Sequence, residues 1–308
     1  MWREKREPAE QPGSSSTGPW PQSEVRPVDE NRALANIASA FGGFNPNVPN
    51  SARIYDYLLG GKNHFPPDRE AAAELLKQSP HIRAGVRANR KFLIRTTRDL
   101  ARRGYTQFID LGSGLPTQQN VHQVVQAVNP DARVVYADND LMAVTHGRAL
   151  LNAPGVTMLQ GDIRRPDEIL NAPALTELLD LRRPVVVVAV AVLHFVSDRE
   201  DPAGIIARLR ARLAPGSRLV VSHACTDEAS DEQIAEGHAV YARSSSPAAF
   251  RRSEDIAAML AACTMEPPGL VPVSEWKPDP DIPAEDVGNA IFLGGIADLN
   301  AYGPLERG

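Results

Sequence analysis

Cysteine is scarce in this chain, and its scarcity excludes two kinds of site. Only Cys225 and Cys263 occur among the 308 residues. Their spacing matches neither a disulfide framework nor a zinc-binding pattern, and no His/Cys/carboxylate cluster suggests a metal. We therefore predict two buried thiols in a reducing compartment and no metal site.

Long apolar segments are missing as well. The longest apolar run extends from Val185 to Leu193, whereas a helix needs about 20 apolar residues to cross a bilayer. The first residues carry charge with no apolar stretch after them, which is not the pattern of a secretory signal. These absences predict a cytoplasmic protein with no membrane partner.

The chain also lacks a basic excess. Its formal net charge is -5, and general nucleic-acid binders are usually basic, so we expect no nucleic-acid partner. Hydrophobic residues make up 43% and charged residues 23%, which is ordinary for a globular protein.

Composition and periodicity divide the chain into three parts. Residues 1–30 are rich in proline, serine, glycine and charge, which predicts a disordered tail. Residues 31–104 form a predicted N-terminal helical lid or cap region. The helices predicted in the stretch before the sheet are 29–41, 52–59, 66–77 and 81–103.

Residues 105–308 alternate between strand and helix patterns. An all-apolar strand over Val185 to Val192 is typical of the centre of a parallel sheet, buried on both faces. The alternation predicts an α/β fold with a Rossmann-like, doubly wound, seven-stranded sheet. The predicted strands are 107–111, 133–137, 156–159, 185–192, 218–222, 270–276 and 290–294.

The first strand ends in the motif Asp110-Leu-Gly-Ser-Gly114. Gly112 and Gly114 allow a tight turn around Ser113 and a close approach of a ligand to the backbone. A dinucleotide site would place a third glycine or alanine at position 117, where this chain has Thr117. An acid before the glycines suits a ligand with a cationic amino group and no pyrophosphate, which describes S-adenosylmethionine.

Acids also follow the second and third strands. Asp138, beside Asn139, lies where a ribose diol would bind, and a carboxylate can accept both hydroxyl hydrogen bonds. The alternative is that Asp138 or Asp140 caps the next helix; we assign the cap to Asp140 and the ribose to Asp138.

After the third strand, Asp162 can accept from an adenine amino group while Ile163 packs on the ring. The alternative for Asp162 is a solvated loop acid. Ala191 and Val192, at the end of the apolar strand, complete the predicted cofactor site.

With these residues in place, the chain resembles the class I S-adenosylmethionine-dependent methyltransferases, and more narrowly the actinobacterial S-adenosyl methyltransferase family also called DUF574. The resemblance runs from about Asn50 to the C-terminus, and the segment from Asp29 to Asn47 is not part of it. It implies a seven-stranded sheet whose last strand is antiparallel, and no known acceptor. The stretches that carry it are 51–65, 86–93, 108–117, 120–122, 190–196 and 213–217.

The stretch from Arg53 to Asn63 precedes the sheet and is dense in polar and aromatic residues. One interpretation is a helix packed on the sheet edge through its aliphatic residues. The other is a lid over the cofactor, with Tyr55 or Tyr57 near the sulfonium and Gly60-Gly61 as its hinge. We include Tyr55 and Gly61 in the predicted cofactor site.

Two further assignments concern single side chains. The helix from His81 is rich in arginine, usually the sign of a solvated face; we assign Arg87 to clamp the methionine carboxylate. His194, just past the fourth strand, is the candidate catalytic base, against the simpler interpretation of a pocket wall. His223 is the second candidate.

These features predict a methyltransferase that acts on a small-molecule acceptor and releases S-adenosylhomocysteine. Two alternatives stay open: a non-catalytic regulatory protein that binds the cofactor, and a nicotinamide-dependent oxidoreductase. The second is weakened by Thr117 and by the lack of a Tyr-x-x-x-Lys motif.

Overall fold

The computed structural model describes residues 45–116, 119–278, 286–288 and 292–299. The predicted tail, residues 1–30, and the predicted helix from Asp29 to Phe41 lie outside these residues, as does Thr117. Within the described part, none of the helices is both long and apolar enough to span a membrane.

Helices precede the sheet and then alternate with its strands. Before the sheet come α1 (Ser51–Leu58), α2 (Pro66–Gln78) and α3 (Ile82–Arg102). The alternating part is β1 (Gln107–Leu111), α4 (Val121–Gln126), β2 (Arg133–Asp138), α5 (Leu141–Leu150), β3 (Val156–Gln160), α6 (Pro166–Leu170), α7 (Pro173–Thr176), β4 (Val186–Val190), α8 (Pro202–Arg212), β5 (Arg218–Ala224), α9 (Asp231–Ala242), α10 (Ser253–Met259), β6 (Thr264–Met265), β7 (Val271–Pro272) and β8 (Phe292–Asp298).

The sheet follows the order β3-β2-β1-β4-β5-β8-β6, with β7 also paired to β8. The first five strands run parallel, whereas β8 pairs antiparallel with β5. The chain therefore reverses its direction of travel across the sheet between β1 and β4. A crevice at the carboxyl ends of the strands is the expected ligand site of such a fold.

The two faces of the sheet carry separate apolar layers. On one face, alternate strand residues such as Ile109 and Val187 pack with Ile205 of α8 and Ile256 of α10. On the other face, residues such as Phe108 and Val188 pack with helices that include α1 to α5. Because side chains alternate between faces along a strand, the apolar runs of β1 and β4 fill both layers.

The helix α3 belongs to the second layer. Phe92 is fully buried and contacts Trp276 edge-on, with ring centroids 5.7 Å apart. Its apolar face therefore lies on the sheet. The division of the chain into a lid (31–104) and a core (105–308) stays a prediction.

The predicted doubly wound sheet is confirmed, with differences near its end, where the last strand is Phe292–Asp298 and not 290–294. The strand expected over residues 270–276 reduces to Val271–Pro272, and the two-residue strand β6 joins the sheet before it. Pro267, Pro268 and Pro272 lack the N–H group that ladder pairing needs, which limits both strands to short contacts.

A buried ion pair anchors α1 to the start of α2. Arg53 Nε donates to Asp68 Oδ2 over 2.7 Å, and both side chains are almost fully buried. The Asp68 carboxylate also accepts from the backbone N–H groups of Asn50 (2.9 Å) and Phe65 (2.7 Å). This one carboxylate therefore binds both Asn50, just before α1, and Phe65, just before α2.

Asp68→Ala should destabilise the protein strongly. The change leaves the Arg53 guanidinium buried without its counter-charge, at a cost of about 3–5 kcal/mol in the free energy of unfolding. Urea unfolding followed by circular dichroism measures it.

The matched control is Glu168→Ala, which breaks the exposed pair between Arg165 and Glu168 (3.3 Å) and should cost about 1 kcal/mol or less. Equal losses in the two variants would contradict the anchoring role of Asp68.

Candidate functional site

A cavity of about 340 Å³ opens at the carboxyl ends of the parallel strands. That volume lies in the range of small-molecule sites, about 300–1,000 Å³. Its walls come from α1, α2, α3, α9, the loops after β1 to β5, the segment 245–250 and Phe292. The chain thus brings the loops singled out by sequence into one site.

The glycine turn after β1 forms part of the cavity floor. Gly112 and Gly114 have φ angles of +68° and +65°, which glycine adopts without strain. A Cβ on Gly112 would lie 2.2 Å from Cγ2 of Val192, so this backbone approaches the β4 loop too closely for any other residue. Ser113 lines the same turn, and Ala52 of α1 lies across Gly114.

Asp110 lies at the cavity with its side chain almost fully buried. Burial raises the pKa of its carboxyl group to about 7; the charge of Arg90 opposes the rise and that of Asp138 adds to it. Arg90 itself lines the cavity and donates from Nη2 to the Gln119 carbonyl over 3.0 Å. An acid and an arginine therefore face the same space.

Asp138 braces the β1 and β2 loops together. Its Oδ2 accepts from Gly114 N and its Oδ1 from Asp140 N, each over 2.8 Å. Burial raises the pKa of Asp138 to about 6, against the effect of these hydrogen bonds. Each carboxylate oxygen has a second lone pair for a ligand hydroxyl. The exposed Asn139 lines the cavity beside it.

Asp140 caps α5, accepting from Met142 N (2.7 Å) and Ala143 N (3.0 Å), as expected from sequence. Its other oxygen accepts from Asn50 Nδ2 over 2.5 Å, and Asn50 also donates to Ser245 Oγ over 2.9 Å. Asn50, just before α1, thus links the loop after β2 to the segment 245–250.

The third acid, Asp162, pairs with Arg164, whose Nη2 lies 2.7 Å from Oδ2. Although burial opposes it, the hydrogen bonds and charge of Arg164 lower the pKa of Asp162. Arg164 also contacts Glu200 over 2.7 Å. Ile163, buried at the cavity wall, supplies an apolar surface next to the acid.

Two of the residues assigned to the site from sequence, Arg87 and Gly61, do not line the cavity. Arg87 is exposed and does not line the cavity, whereas Arg90, three residues further along α3, does. Val86, Arg90 and Leu93 share the helix face toward the cavity, and Arg87 is rotated about 100° from Val86. The structure therefore places Arg90 at the cavity, where Arg87 was expected from the sequence.

Gly61 also lies outside the cavity wall. A Cβ there would stand 2.1 Å from Oδ1 of Asp56, because the turn wraps around that buried carboxylate. Asp56 Oδ2 accepts from Asn63 N over 2.8 Å as well. The glycine is needed for this packing, and it contacts the cavity only through Asp56, which lines it.

Of the two candidate tyrosines, Tyr55 lines the cavity and Tyr57 does not. The Tyr55 hydroxyl accepts from Asn89 Nδ2 over 2.9 Å, and Asn89 Oδ1 accepts from Ser222 Oγ over 2.6 Å. Ser222 Oγ in turn accepts from Ala191 N over 3.0 Å. This buried chain of hydrogen bonds, absent from the sequence-based assignment, links α1 to the end of β4.

Ala191, the last residue in this series of hydrogen bonds, has a strained backbone. Its φ of +57° is the left-handed conformation, which costs an alanine of order 1–3 kcal/mol. The strain turns the chain so that Ala191 and Val192 both face the cavity. Such strained residues cluster at ligand sites.

His194 follows on the same wall, packed against His223 (ring centroids 5.4 Å apart) and Phe195 (4.4 Å). Burial, with the charge of Arg251, holds the pKa of His194 well below its ordinary value and lowers the pKa of His223 to about 4. Both imidazoles are therefore neutral near neutral pH.

A buried arginine fixes His223. Arg251 Nη1 donates to His223 Nε2 over 2.9 Å, and its Nη2 donates to Asp198 Oδ1 over 2.7 Å. The same guanidinium donates to the carbonyls of Leu193 and Val196. Arg251 thereby holds the loop that carries His194, a role that sequence reasoning missed because Arg251 lies in a remote, unremarkable segment.

In the described ranges, no group of three or more His, Cys, Asp or Glu residues is placed to hold a metal ion. The two cysteines are buried and free.

Comparison with known proteins agrees with this geometry. A family model described as S-adenosyl methyltransferase matches residues 42–300. No curated protein matches the chain.

Two solved structures are similar over most of the chain. A Thermobifida fusca protein, provisionally named a methyltransferase, is 37% identical, with a TM-score of 0.75, covering 82% of this chain and 95% of that one. A DUF574 family protein from Streptomyces avermitilis is 34% identical, also with a TM-score of 0.75, covering 82% and 97%. This chain therefore belongs to the S-adenosyl methyltransferase family, and it is an S-adenosylmethionine-dependent methyltransferase with the Rossmann-like fold expected from its sequence.

Proposed function

We propose that this methyltransferase transfers its methyl group to a small-molecule acceptor held in the same cavity as the cofactor. The observation that supports this is the continuity of the cavity, which runs from the acids after β1, β2 and β3 to the pocket around His194 and Phe250. A site enclosed by α1 and the segment 245–250 suits a small acceptor better than a polymer.

The residues at the strand ends fit the functional groups of S-adenosylmethionine. The Asp110 carboxylate can accept from the ammonium group of the cofactor, and the Arg90 guanidinium can donate to its carboxylate; both are charge-assisted hydrogen bonds. Asp138 offers lone pairs to the ribose hydroxyls, with Asn139 beside it. Asp162 accepts from the adenine amino group and Ile163 packs on the ring.

The bound cofactor supplies an electrophilic methyl group on a sulfonium. The work left to this chain is to position the acceptor and keep water away. Tyr55 presents an electron-rich ring, suited to a cation, from the α1 side of the cavity. Val192 and Ala191 close the opposite wall.

His194 is the residue that we assign to the acceptor's reacting atom. A neutral imidazole can receive the proton that an acceptor hydroxyl loses. Because burial keeps the pKa of His194 well below its ordinary value, the imidazole stays neutral down to acidic pH. The Ala249 N–H donates to the His194 carbonyl over 2.7 Å, which ties this residue to the acceptor side.

Gly112→Ala should weaken cofactor binding by about tenfold or more. The new methyl group would push Val192 into the space of the cofactor, because their atoms would otherwise lie 2.2 Å apart. Calorimetric titration with S-adenosylhomocysteine measures the affinity.

Gly104→Ala is the matched control, since Gly104 also has a positive φ (+93°) but no heavy atom within 4 Å of the new Cβ. It should lose about 1 kcal/mol of stability and keep its cofactor affinity. An unchanged affinity in Gly112→Ala would place the cofactor elsewhere.

His194→Phe should reduce methyl transfer by about 100-fold or more and leave cofactor affinity within about twofold, because it keeps a flat ring but removes the proton acceptor. Transfer from labelled cofactor to small molecules extracted from the protein's own cells provides the assay.

The same assay tests the ionisation of His194. Saturating S-adenosylmethionine keeps cofactor binding from limiting the rate. Under that condition a depressed pKa of His194 means that the wild-type rate stays level from about pH 6 to 8, whereas an ordinary histidine would lose half its activity near pH 6.5. A rate loss below tenfold in the variant would leave His194 as a wall of the pocket only.

A further inference from the structure

The charges on the cavity wall are confined to one half. Every acidic or arginine side chain that lines it comes from α1, α3 or the ends of the first three strands and their loops. The wall between Phe195 and Phe250, together with Phe292, has no charged side chain. The lining of the half next to His194 is therefore uncharged, and the buried Arg251 behind it is paired with Asp198.

Aromatic rings dominate the neutral half, which we call the aromatic pocket: His194, Phe195, Tyr241, Phe250 and Phe292. Phe195 and Tyr241 have ring centroids 5.7 Å apart, and Tyr241 and Phe250 6.3 Å. His194 lies 6.1 Å from Phe292. Tilted and edge-on rings at these distances leave faces and edges for a further ring to pack against.

The ring of Phe250 is fixed in place from behind. A Cβ on Gly237 of α9 would lie 2.8 Å from Phe250 Cζ, so the ring rests directly on the helix backbone. His238 packs edge-on against the same ring at 4.6 Å, from an exposed position that does not line the cavity. The pocket is thus preformed at this side.

Three polar side chains in this half, those of Gln233, Thr226 and Ser245, hydrogen-bond to other parts of the protein. Gln233 donates to the Gln78 carbonyl (2.5 Å) and accepts from Ser230 N (3.0 Å). Thr226 Oγ1 donates to the Arg251 carbonyl over 3.0 Å, and Ser245 Oγ accepts from Asn50. His194 and the Tyr241 hydroxyl, which burial keeps protonated by raising its pKa to about 12, are the polar groups set among the rings.

From this arrangement we infer that the acceptor is an uncharged, flat aromatic molecule that carries a hydroxyl group, with its rings against Phe250 and Tyr241 and its hydroxyl at His194. The inference rests on the proposed function. An ionic substituent would lose its water in a pocket that offers no counter-charge, which is strongly unfavourable.

The methyl transfer needs no further reactant besides the cofactor, the phenol and His194. The phenol oxygen forms a bond to the methyl carbon, and the electron pair of the broken carbon–sulfur bond stays on sulfur. The phenol proton passes to the neutral imidazole of His194 and from there to water.

The test uses the full chain loaded with S-adenosylhomocysteine and three probes of similar outline. They are β-naphthol, β-naphthol bearing a sulfonate, and the fully saturated alcohol decahydro-β-naphthol. We expect calorimetry to show β-naphthol binding about tenfold tighter than either of the other two. With labelled S-adenosylmethionine, β-naphthol should yield its methyl ether.

Phe250→Leu should weaken β-naphthol binding by about tenfold and leave S-adenosylhomocysteine affinity unchanged, which also shows that the variant is folded. His238→Leu is the control, because it changes the outer neighbour of the same ring and leaves the pocket wall intact. A loss of equal size in the control would contradict the pocket assignment.

The outcomes separate the two proposals. Absence of S-adenosylhomocysteine binding in the wild type would overturn the proposed cofactor site, and this inference with it. Normal cofactor binding together with no β-naphthol binding, or with equal or tighter binding of the sulfonated or saturated probe, would overturn the aromatic acceptor alone.

Discussion

A carboxylate kept out of water at the end of β1 is the constraint around which this site is built. Asp110 is almost fully buried, and its pKa is raised to about 7 by burial. Because the folded-state pKa lies above the unfolded value, the protein without ligand loses stability as pH rises from about 4 to about 7. A cationic ligand group beside Asp110, as we propose for the cofactor, would offset that loss.

Side chains of two neighbouring elements act on the ionisation of Asp110. Arg90 approaches from α3, and Asp138 from β2 adds a second negative charge, itself braced by the Gly114 and Asp140 amides. The glycine turn brings the backbone against Val192. These contacts follow from a parallel sheet whose strands end at one edge, and for that reason one loop sequence was enough to locate the proposed cofactor site.

Much of this could be predicted from the sequence. The alternation of apolar strands with helices predicts the sheet, and the acids after three successive strands predict which edge binds the cofactor. Asp110, Asp138 and Asp162 all face the cavity because the carboxyl ends of parallel strands meet there. Tyr55 could be placed only as one of two candidates, since helix phase near a lid is not fixed by local pattern.

What could not be predicted depends on tertiary contacts. Arg87 and Arg90 lie in the same arginine-rich helix, and only the packing of Phe92 on the sheet fixes which of them turns inward. The link from Tyr55 through Asn89 to Ser222, and the grip of Arg251 on His223, join residues remote in sequence. The aromatic pocket is likewise assembled from the β4 loop, α9, the segment before Arg251 and β8.

The most direct measurement is the proton balance of cofactor binding. S-adenosylhomocysteine is titrated into the protein at pH 6.5 by calorimetry in buffers of different ionisation enthalpy. A ligand ammonium placed beside Asp110 should ionise the carboxylate, so wild type should release roughly half a proton or more, and Asp110→Asn should release much less and bind more weakly. Equal affinity and equal proton release in wild type and Asp110→Asn would contradict the account.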